Sequence, residues 1–326
     1  MPLINVCNVS KEFKVFKREK GIVKNIKSLF VRNYEIKNAV ENINFSIEQG
    51  ELVGYIGANG AGKSTTIKML AGILVPSSGC IRVNGIIPYE NRKANAMNIG
   101  VVFGQRSQLN WDLPMEDTFE LYKRMYKVDN STYKKNVEMF VELMQMKDFL
   151  RKPVRQLSLG QKMRAEIAIA LLHDPKILYL DEPTIGLDVL VKDKIRKFIR
   201  ELNAEKKTTV ILTTHDMNDI DQICNRIIMI DKGRILSDCS LSEFKEMHRN
   251  HYLVEIKYDE IFREVVLDGV RCIRQNKNER IYSVEKNKIS YNQMLKSFSE
   301  CFLIKSISIK EIEFEEIVKS LYDKNL

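Results

Sequence analysis

The chain has 326 residues, 44% of them hydrophobic and 29% charged, an ordinary balance for a globular protein with a sizeable core. A net charge of +9 leaves nucleic acid and an anionic membrane surface open as partners. The six scattered cysteines form no CxxC pair or His/Cys cluster, which excludes a metal site built on them and predicts reduced thiols that mostly fill the core.

No apolar run is long enough to cross a bilayer. The amino terminus lacks an apolar h-region and a small-residue cleavage site, so no signal peptide is expected and the chain reads as cytoplasmic. Leu3 to Val9 reads as a strand. Residues 11–37 then carry nine Lys or Arg against three Glu. Within them Ile22, Val23, Ile26, Leu29 and Phe30 recur at helical spacing, as a surface helix packed on its own domain or one lying on a membrane. Val40–Ile47 and Glu51–Ile56 read as strands joined by a turn at Gly50, and Lys63–Gly72 as a helix. Pro76 to Gly79 make a turn before a short strand, Cys80–Val83, and Ile99–Phe103 is another strand.

From Met115 to about Leu150 the pattern is helical. Ile177–Leu180 reads as a buried strand, Lys192–Leu202 as a helix, Thr209–Thr214 as a strand and Asp216–Cys224 as a helix. Arg226–Leu236 reads as a hairpin turning at Asp231-Lys232-Gly233. This alternation predicts an α/β fold with a mainly parallel sheet. After about Leu241 the texture changes to short strands, Tyr252–Lys257 and Arg280–Val284, and a last helical piece near Glu311–Tyr322. The expected division is therefore 1–240 and a small α+β extension over 241–326.

Two stretches carry chemistry. Gly57-Ala58-Asn59-Gly60-Ala61-Gly62-Lys63-Ser64 fits GxxxxGK[ST], with Thr65 next, between an apolar strand and a helix. Glycines let successive N–H groups point at phosphates, and the helix start adds partial positive charge. Lys63 is placed to reach the β- and γ-phosphates of a nucleotide, and the Ser64 hydroxyl to bind Mg²⁺. The second stretch is Ile177-Leu178-Tyr179-Leu180-Asp181-Glu182. Asp181 ends the buried strand and is the expected magnesium carboxylate; Glu182 points elsewhere and can take a proton from an attacking water.

With these in place the chain resembles the ATP-binding subunits of ABC transporters, over about residues 3–240. Leu157-Ser158-Leu159-Gly160-Gln161 resembles the family's LSGGQ signature, with Leu159 in place of its second glycine. Gln105 matches the Q-loop, Gly186-Leu187-Asp188 the D-loop, and His215 the switch histidine. The resemblance implies a P-loop ATPase domain with a mixed sheet core and a helical subdomain at about 106–165. It also implies ATP and Mg²⁺ as cofactors, and a head-to-tail homodimer. Ser158, the Gly160 amide and Gln161 then face the γ-phosphate held by the partner, and Asp188 couples the two sites. Gln105 senses magnesium and the attacking water, and His215 steadies Glu182. Ser10-Lys11-Glu12-Phe13 is similar to the family's adenine-stacking pattern, which makes Phe13 the expected aromatic and Tyr34 the alternative.

The stretch from Val101 to Pro114 resembles a bacterial subgroup related to antibiotic and viologen exporters. Trp111 is then either near a membrane partner or a core anchor of the helical subdomain. The tail after Leu241 resembles the short extension of such exporter ATPases. The resemblance implies an ATPase that powers a separate integral membrane permease from the inner membrane face, for export of a drug-like or other small molecule. Soluble ABC ATPases acting on nucleic acid, ribosome or protein assembly are the other class. Those of the translation type carry two sets of motifs, and only one occurs here; repair and chromosome types insert coiled coils, and no sustained heptads appear. No nucleic acid partner is expected. A pseudo-ATPase scaffold is disfavoured by the presence of Lys63, Asp181, Glu182 and His215.

Overall fold

A computed structural model describes residues 1–16, 34–104, 107–249 and 251–311. The chain divides into two compact units, Met1–Cys239 and Ser240–Leu326. The predicted basic amphipathic helix over Ile22–Phe30, Gln105, and the end of the last predicted helix, 312–322, lie outside the described residues.

The first unit is built on a six-stranded sheet. In chain order its strands are β3 (Leu52–Gly57), β5 (Ile99–Phe103), β6 (Ile177–Asp181), β7 (Thr209–Thr213), β8 (Arg226–Asp231) and β9 (Arg234–Ser240). Their order across the sheet is β5-β6-β7-β3-β8-β9, and the pairs β5/β6, β6/β7, β7/β3 and β3/β8 are parallel. The sequences LVGYIG, ILYLD and TVILT are buried almost throughout, as strands covered on both faces must be. The β8–β9 hairpin turns on Lys232 and Gly233, both at positive φ (46° and 83°), the geometry that matches strand twist in a tight two-residue turn.

A second, antiparallel sheet has the order β2-β1-β4, from β1 (Ile4–Phe16), β2 (Tyr34–Ile47) and β4 (Ser78–Val83). The first strand is twice as long as its apolar residues indicated. Lys11–Phe16, half of them charged, continue it because they pair with Tyr34–Val40 on β2. Consecutive strands β2 and β3 do not form a hairpin; Gly50, at φ 83°, carries the chain from one sheet to the other. The core between the layers joins Ile4, Val6 and Ile81 from this sheet to Tyr55, Tyr179 and Ile228 from the parallel one.

Helices α1 (Lys63–Leu70) and α2 (Arg92–Ala96) follow β3 and β4. The helical stretch predicted over 115–150 is broken: α3 (Met115–Tyr126) stops at Lys127 in the left-handed region (φ 53°), and α4 (Asn130–Leu143) restarts from an Asp129 cap. Asp129 accepts from the Ser131 and Thr132 N–H groups, so the break is set by a capping residue inside a periodic run. Then come α5 (Leu159–Leu171), α6 (Val189–Lys206) and α7 (Met217–Ile223). Among the described residues no helix is long and apolar enough to cross a membrane.

The second unit has α8 (Leu241–Arg249), β10 (His251–Ile261), β11 (Val270–Asn276), β12 (Glu279–Glu285), α9 (Tyr291–Cys301) and β13 (Phe302–Glu311). The strands form one antiparallel sheet in the order β11-β12-β10-β13. Its core is Tyr252, Val254, Ile256, Tyr258, Tyr282, Val284, Met294, Phe298, Cys301 and Phe302. Strand β11 mixes Val270, Cys272 and Ile273 with polar residues and does not stand out in the sequence; β13 is half apolar, and its pairing with β10 defines it as a strand.

One expectation fails here, and one of two alternatives falls. Only Cys224 and Cys301 are buried; Cys80 and Cys239 are half-buried and Cys7 and Cys272 exposed: Cys80, Cys239 and Cys272 sit on edge strands, and Cys7 on the outer face of the central strand β1. Trp111 is 56% exposed, so it is not a core anchor; its ring is held from one side by the Lys162 ammonium, 4.4 Å from the ring centroid.

Candidate functional site

The carboxyl ends of β3, β7 and β6 lie side by side, since β7 sits between the other two. Everything leaving those three strands therefore converges at one end of the sheet, where open α/β folds place ligands.

From β3 the chain enters the glycine loop. Gly62 holds φ 115°, and a Cβ there would lie 2.6 Å from the Ala39 carbonyl oxygen, so only glycine lets the loop close against β2. Helix α1 then begins with no side-chain cap, and the N–H groups of its first turn, from Lys63, Ser64 and Thr65, are left facing out. Open N–H groups, a helix start and a nearby cation form an anion site by construction. The Lys63 side chain is buried, and its ammonium donates to the carbonyls of Gly57 (2.6 Å) and Ala58 (3.2 Å). Burial draws its pKa below the ordinary lysine value, while Glu182 and Asp181 pull it the other way. Asn59 and Gly60 form the exposed crest; Ala61 is buried beneath it, its carbonyl accepting from the Gly233 N–H at 2.9 Å.

At the end of β6 the two carboxylates separate. Asp181 stays in the strand and accepts hydrogen bonds from the hydroxyls of Ser64 (3.3 Å) and Thr213. Glu182 turns away because its φ is 58°, a strained value for a residue with a side chain, held by its N–H donating to the Thr213 carbonyl at 2.9 Å. That turn brings Glu182 Oε2 to 2.8 Å from His215 Nδ1, beyond the end of β7. Ser64 and Asp181 present hard oxygen donors of the kind Mg²⁺ takes, so the residues fit that ion.

Three residues at this end carry roles that motif spacing did not indicate. Gly104, just before Gln105, donates its N–H to the Asp181 carbonyl at 2.8 Å, and a Cβ there would lie 2.6 Å from the Glu182 carbonyl oxygen. A lone glycine at a strand exit was its only signal. Asp219 on α7 is wholly buried and accepts from Thr184, from Thr214 at 3.3 Å and from Arg196 Nε at 2.7 Å. It thereby ties together the segments that follow Glu182 and precede His215. Glu166 on α5 accepts from Ser107 Oγ at 2.5 Å and the Gln108 N–H at 2.8 Å, with its second oxygen buried and, among the described residues, unpartnered. Burial pushes its pKa above the usual carboxylate value.

The signature-like segment starts α5. Ser158 caps it in a reciprocal box: the Gln161 N–H donates to Ser158 Oγ at 3.2 Å and the Ser158 N–H to Gln161 Oε1 at 2.9 Å. The Ser158 hydroxyl proton takes no part in that box and can be donated outward. A Cβ on Gly160 would lie 3.1 Å from Val191 on α6, so glycine allows the two helix starts to touch. Leu159 is 52% exposed and reaches the turn at Gly186. Asp188 caps α6 by accepting from the Val191 N–H at 3.0 Å. These residues lie at the start of other helices; the described contacts do not join them to Lys63, Asp181 or Glu182.

Phe13 lies on β1 opposite Lys37, two residues before Ala39, the residue packed on Gly62. Phe13 is 37% exposed, with the Lys11 ammonium 5.3 Å from its ring centroid. Tyr34, opposite Phe16, is five residues from Ala39 along an extended strand.

Comparison with known proteins agrees with this geometry. Residues 40–185 match the family model described as ABC transporter. The chain is 32% identical over 231 residues to the ABC transporter ATP-binding protein NatA of Bacillus subtilis, covering 71% of this chain and 94% of that protein. It is 31% identical to the bacitracin transport ATP-binding protein BcrA of Bacillus licheniformis, over 72% of this chain and 74% of that one. Among solved structures, an ATP-binding cassette captured as a dimer in a post-hydrolysis state with ADP and Pi superposes with a TM-score of 0.61 at 28% identity, covering 73% of this chain and 98% of its own. The chain belongs to the ATP-binding proteins of the ABC transporter family and is an ATPase.

Proposed function

We propose that this ATPase works as a head-to-tail homodimer on a separate integral membrane permease, at the inner membrane face, and powers export of a small, drug-like molecule. Relatives named for bacitracin transport and linearmycin resistance support the direction and class of cargo. The observation that carries the catalytic part is the double pairing at the sheet end: Ser64 with Asp181, and Glu182 with His215.

Bound MgATP supplies the phosphoanhydride bond and its leaving group. Ser64 and Asp181, with Gln105, hold the magnesium ion. The loop from Gly57 to Thr65 binds phosphate oxygens through its N–H groups, and Lys63 exchanges its carbonyl partners for them. Glu182 takes the proton of the attacking water, at an oxygen oriented by His215. Ser158, Gly160 and Gln161 serve the partner's nucleotide, while Asp188 braces the helix start beside them. Phe13 stacks the adenine; its register, nearer the loop than that of Tyr34, supports this choice over the alternative.

Glu182→Gln tests the base. It is expected to bind ATP, accumulate as a dimer and lose about 10²–10⁴-fold in turnover. Undiminished hydrolysis removes Glu182 from the role. Purification of tagged chain from detergent-solubilised membranes tests the partner: a stoichiometric multi-spanning protein supports the permease, and recovery of only soluble protein or nucleic acid overturns it.

A further inference from the structure

We propose that Cys7 and Cys80 form a peroxide-sensitive dithiol that closes into a cross-strand disulfide. The two residues stand directly opposite each other in the antiparallel β1–β4 ladder. Facing residues in such a ladder have Cα atoms about 4.5–5.5 Å apart, within the range of roughly 4.4–6.8 Å that a disulfide spans.

They also share a face. Ile4, Val6, Ile81 and Val83, the alternating neighbours, are each no more than 2% exposed and point into the core. Cys7 and Cys80 therefore point the other way, Cys7 exposed and Cys80 half-buried, both as free thiols. The ladder is interrupted just beyond them, between Cys7 and Ser10, where Asn8 takes φ 49° and Gly79 φ 83°. A bulge next to the pair twists the strands locally and gives both side chains room to adjust. Bridging them closes a loop over residues 8–79, which contains the whole glycine loop and α1.

The oxidant is hydrogen peroxide. The more accessible Cys7 thiolate attacks one peroxide oxygen, breaking the O–O bond to give a sulfenic acid and hydroxide, which leaves as water. The Cys80 thiolate then attacks the Cys7 sulfur and expels the second hydroxide, also lost as water. Two thiols are oxidised by two electrons and one peroxide is reduced to two waters. Cys272 provides an internal comparison: it is also exposed, but Tyr282 stands opposite it, so its sulfenic acid has no resolving thiol in the ladder.

The inference is independent of the nucleotide chemistry. Its test treats dilute full-length chain with equimolar hydrogen peroxide, blocks remaining thiols with N-ethylmaleimide before unfolding, and maps peptides by mass. An intramolecular Cys7–Cys80 peptide is expected, released by dithiothreitol, and absent from Cys7→Ser and Cys80→Ser chains. The proposal is overturned if Cys7 is recovered as sulfinic acid while Cys80 remains alkylated, or if Cys7 joins only to other chains.

Discussion

The two units bury charge for different ends. In Met1–Cys239, Lys63, Arg196 and Asp219 lie inside at the carboxyl ends of parallel strands, where each contacts groups arriving from other elements. In Ser240–Leu326, the buried cation Arg280 is 3% exposed but answered, among the described residues, by a single carboxylate, Glu264, which remains 70% exposed. Around it the core is aromatic and aliphatic. Interior charge in the first unit is cross-connected and poised at a site; in the second it is a local peg at a sheet surface. Charge burial alone thus says little about function, and what matters is how many separate segments meet at the charge.

The comparison can be broken most sharply at Lys63. Lys63→Ala is expected to weaken ATP binding by about 2–5 kcal/mol, roughly 30-fold or more, as measured by titration calorimetry. Unchanged affinity would mean that the buried cation is structural, like Arg280. Next is Asp219→Ala, which strands the Arg196 guanidinium. A loss toward the lower end of about 3–5 kcal/mol is expected in urea unfolding, because Asp193 stays 2.9 Å away.

A smaller effect concerns His173, stacked on Tyr126 with its Nε2 3.0 Å from the Ile99 carbonyl. Burial lowers its pKa to about 4 from 6.5. Between those values the unfolded chain binds a proton that the folded chain refuses, so stability falls as pH drops through that window, by up to about 3 kcal/mol. His173→Gln should flatten that fall in unfolding midpoints taken from pH 7 to 4. The smallest effect belongs to Arg280→Met, which, among the described residues, leaves the solvated Glu264 carboxylate behind. Stability should change by about 1 kcal/mol or less, and ATP hydrolysis should stay at the wild-type rate.

Local chemistry made much of the site readable. GxxxxGKS after an apolar strand, and Asp-Glu at the end of another, follow from the backbone and charge needs of binding phosphate and magnesium. The strand spans of β5 and β6 agree with expectation within a residue because continuous burial leaves a continuous apolar run. The long β1–β2 pairing was not read: residues 11–16 and 34–37 are half polar and flank a basic stretch, and cross-strand pairing defines them as strands. The turn at Glu182 was equally hidden, since a left-handed φ at a charged residue leaves no mark in composition.

From the sequence by itself came the loop, the paired carboxylates, the switch histidine and the family they resemble, because each depends on residues close together in the chain. The tertiary structure decided which residues meet across distance. It put β7 between β3 and β6, set Gly104 against Glu182, made Asp219 a meeting point for three segments, and placed Cys7 opposite Cys80. Sheet order and register arise from burying many side chains at once, a sum over the whole core that no local stretch of residues encodes.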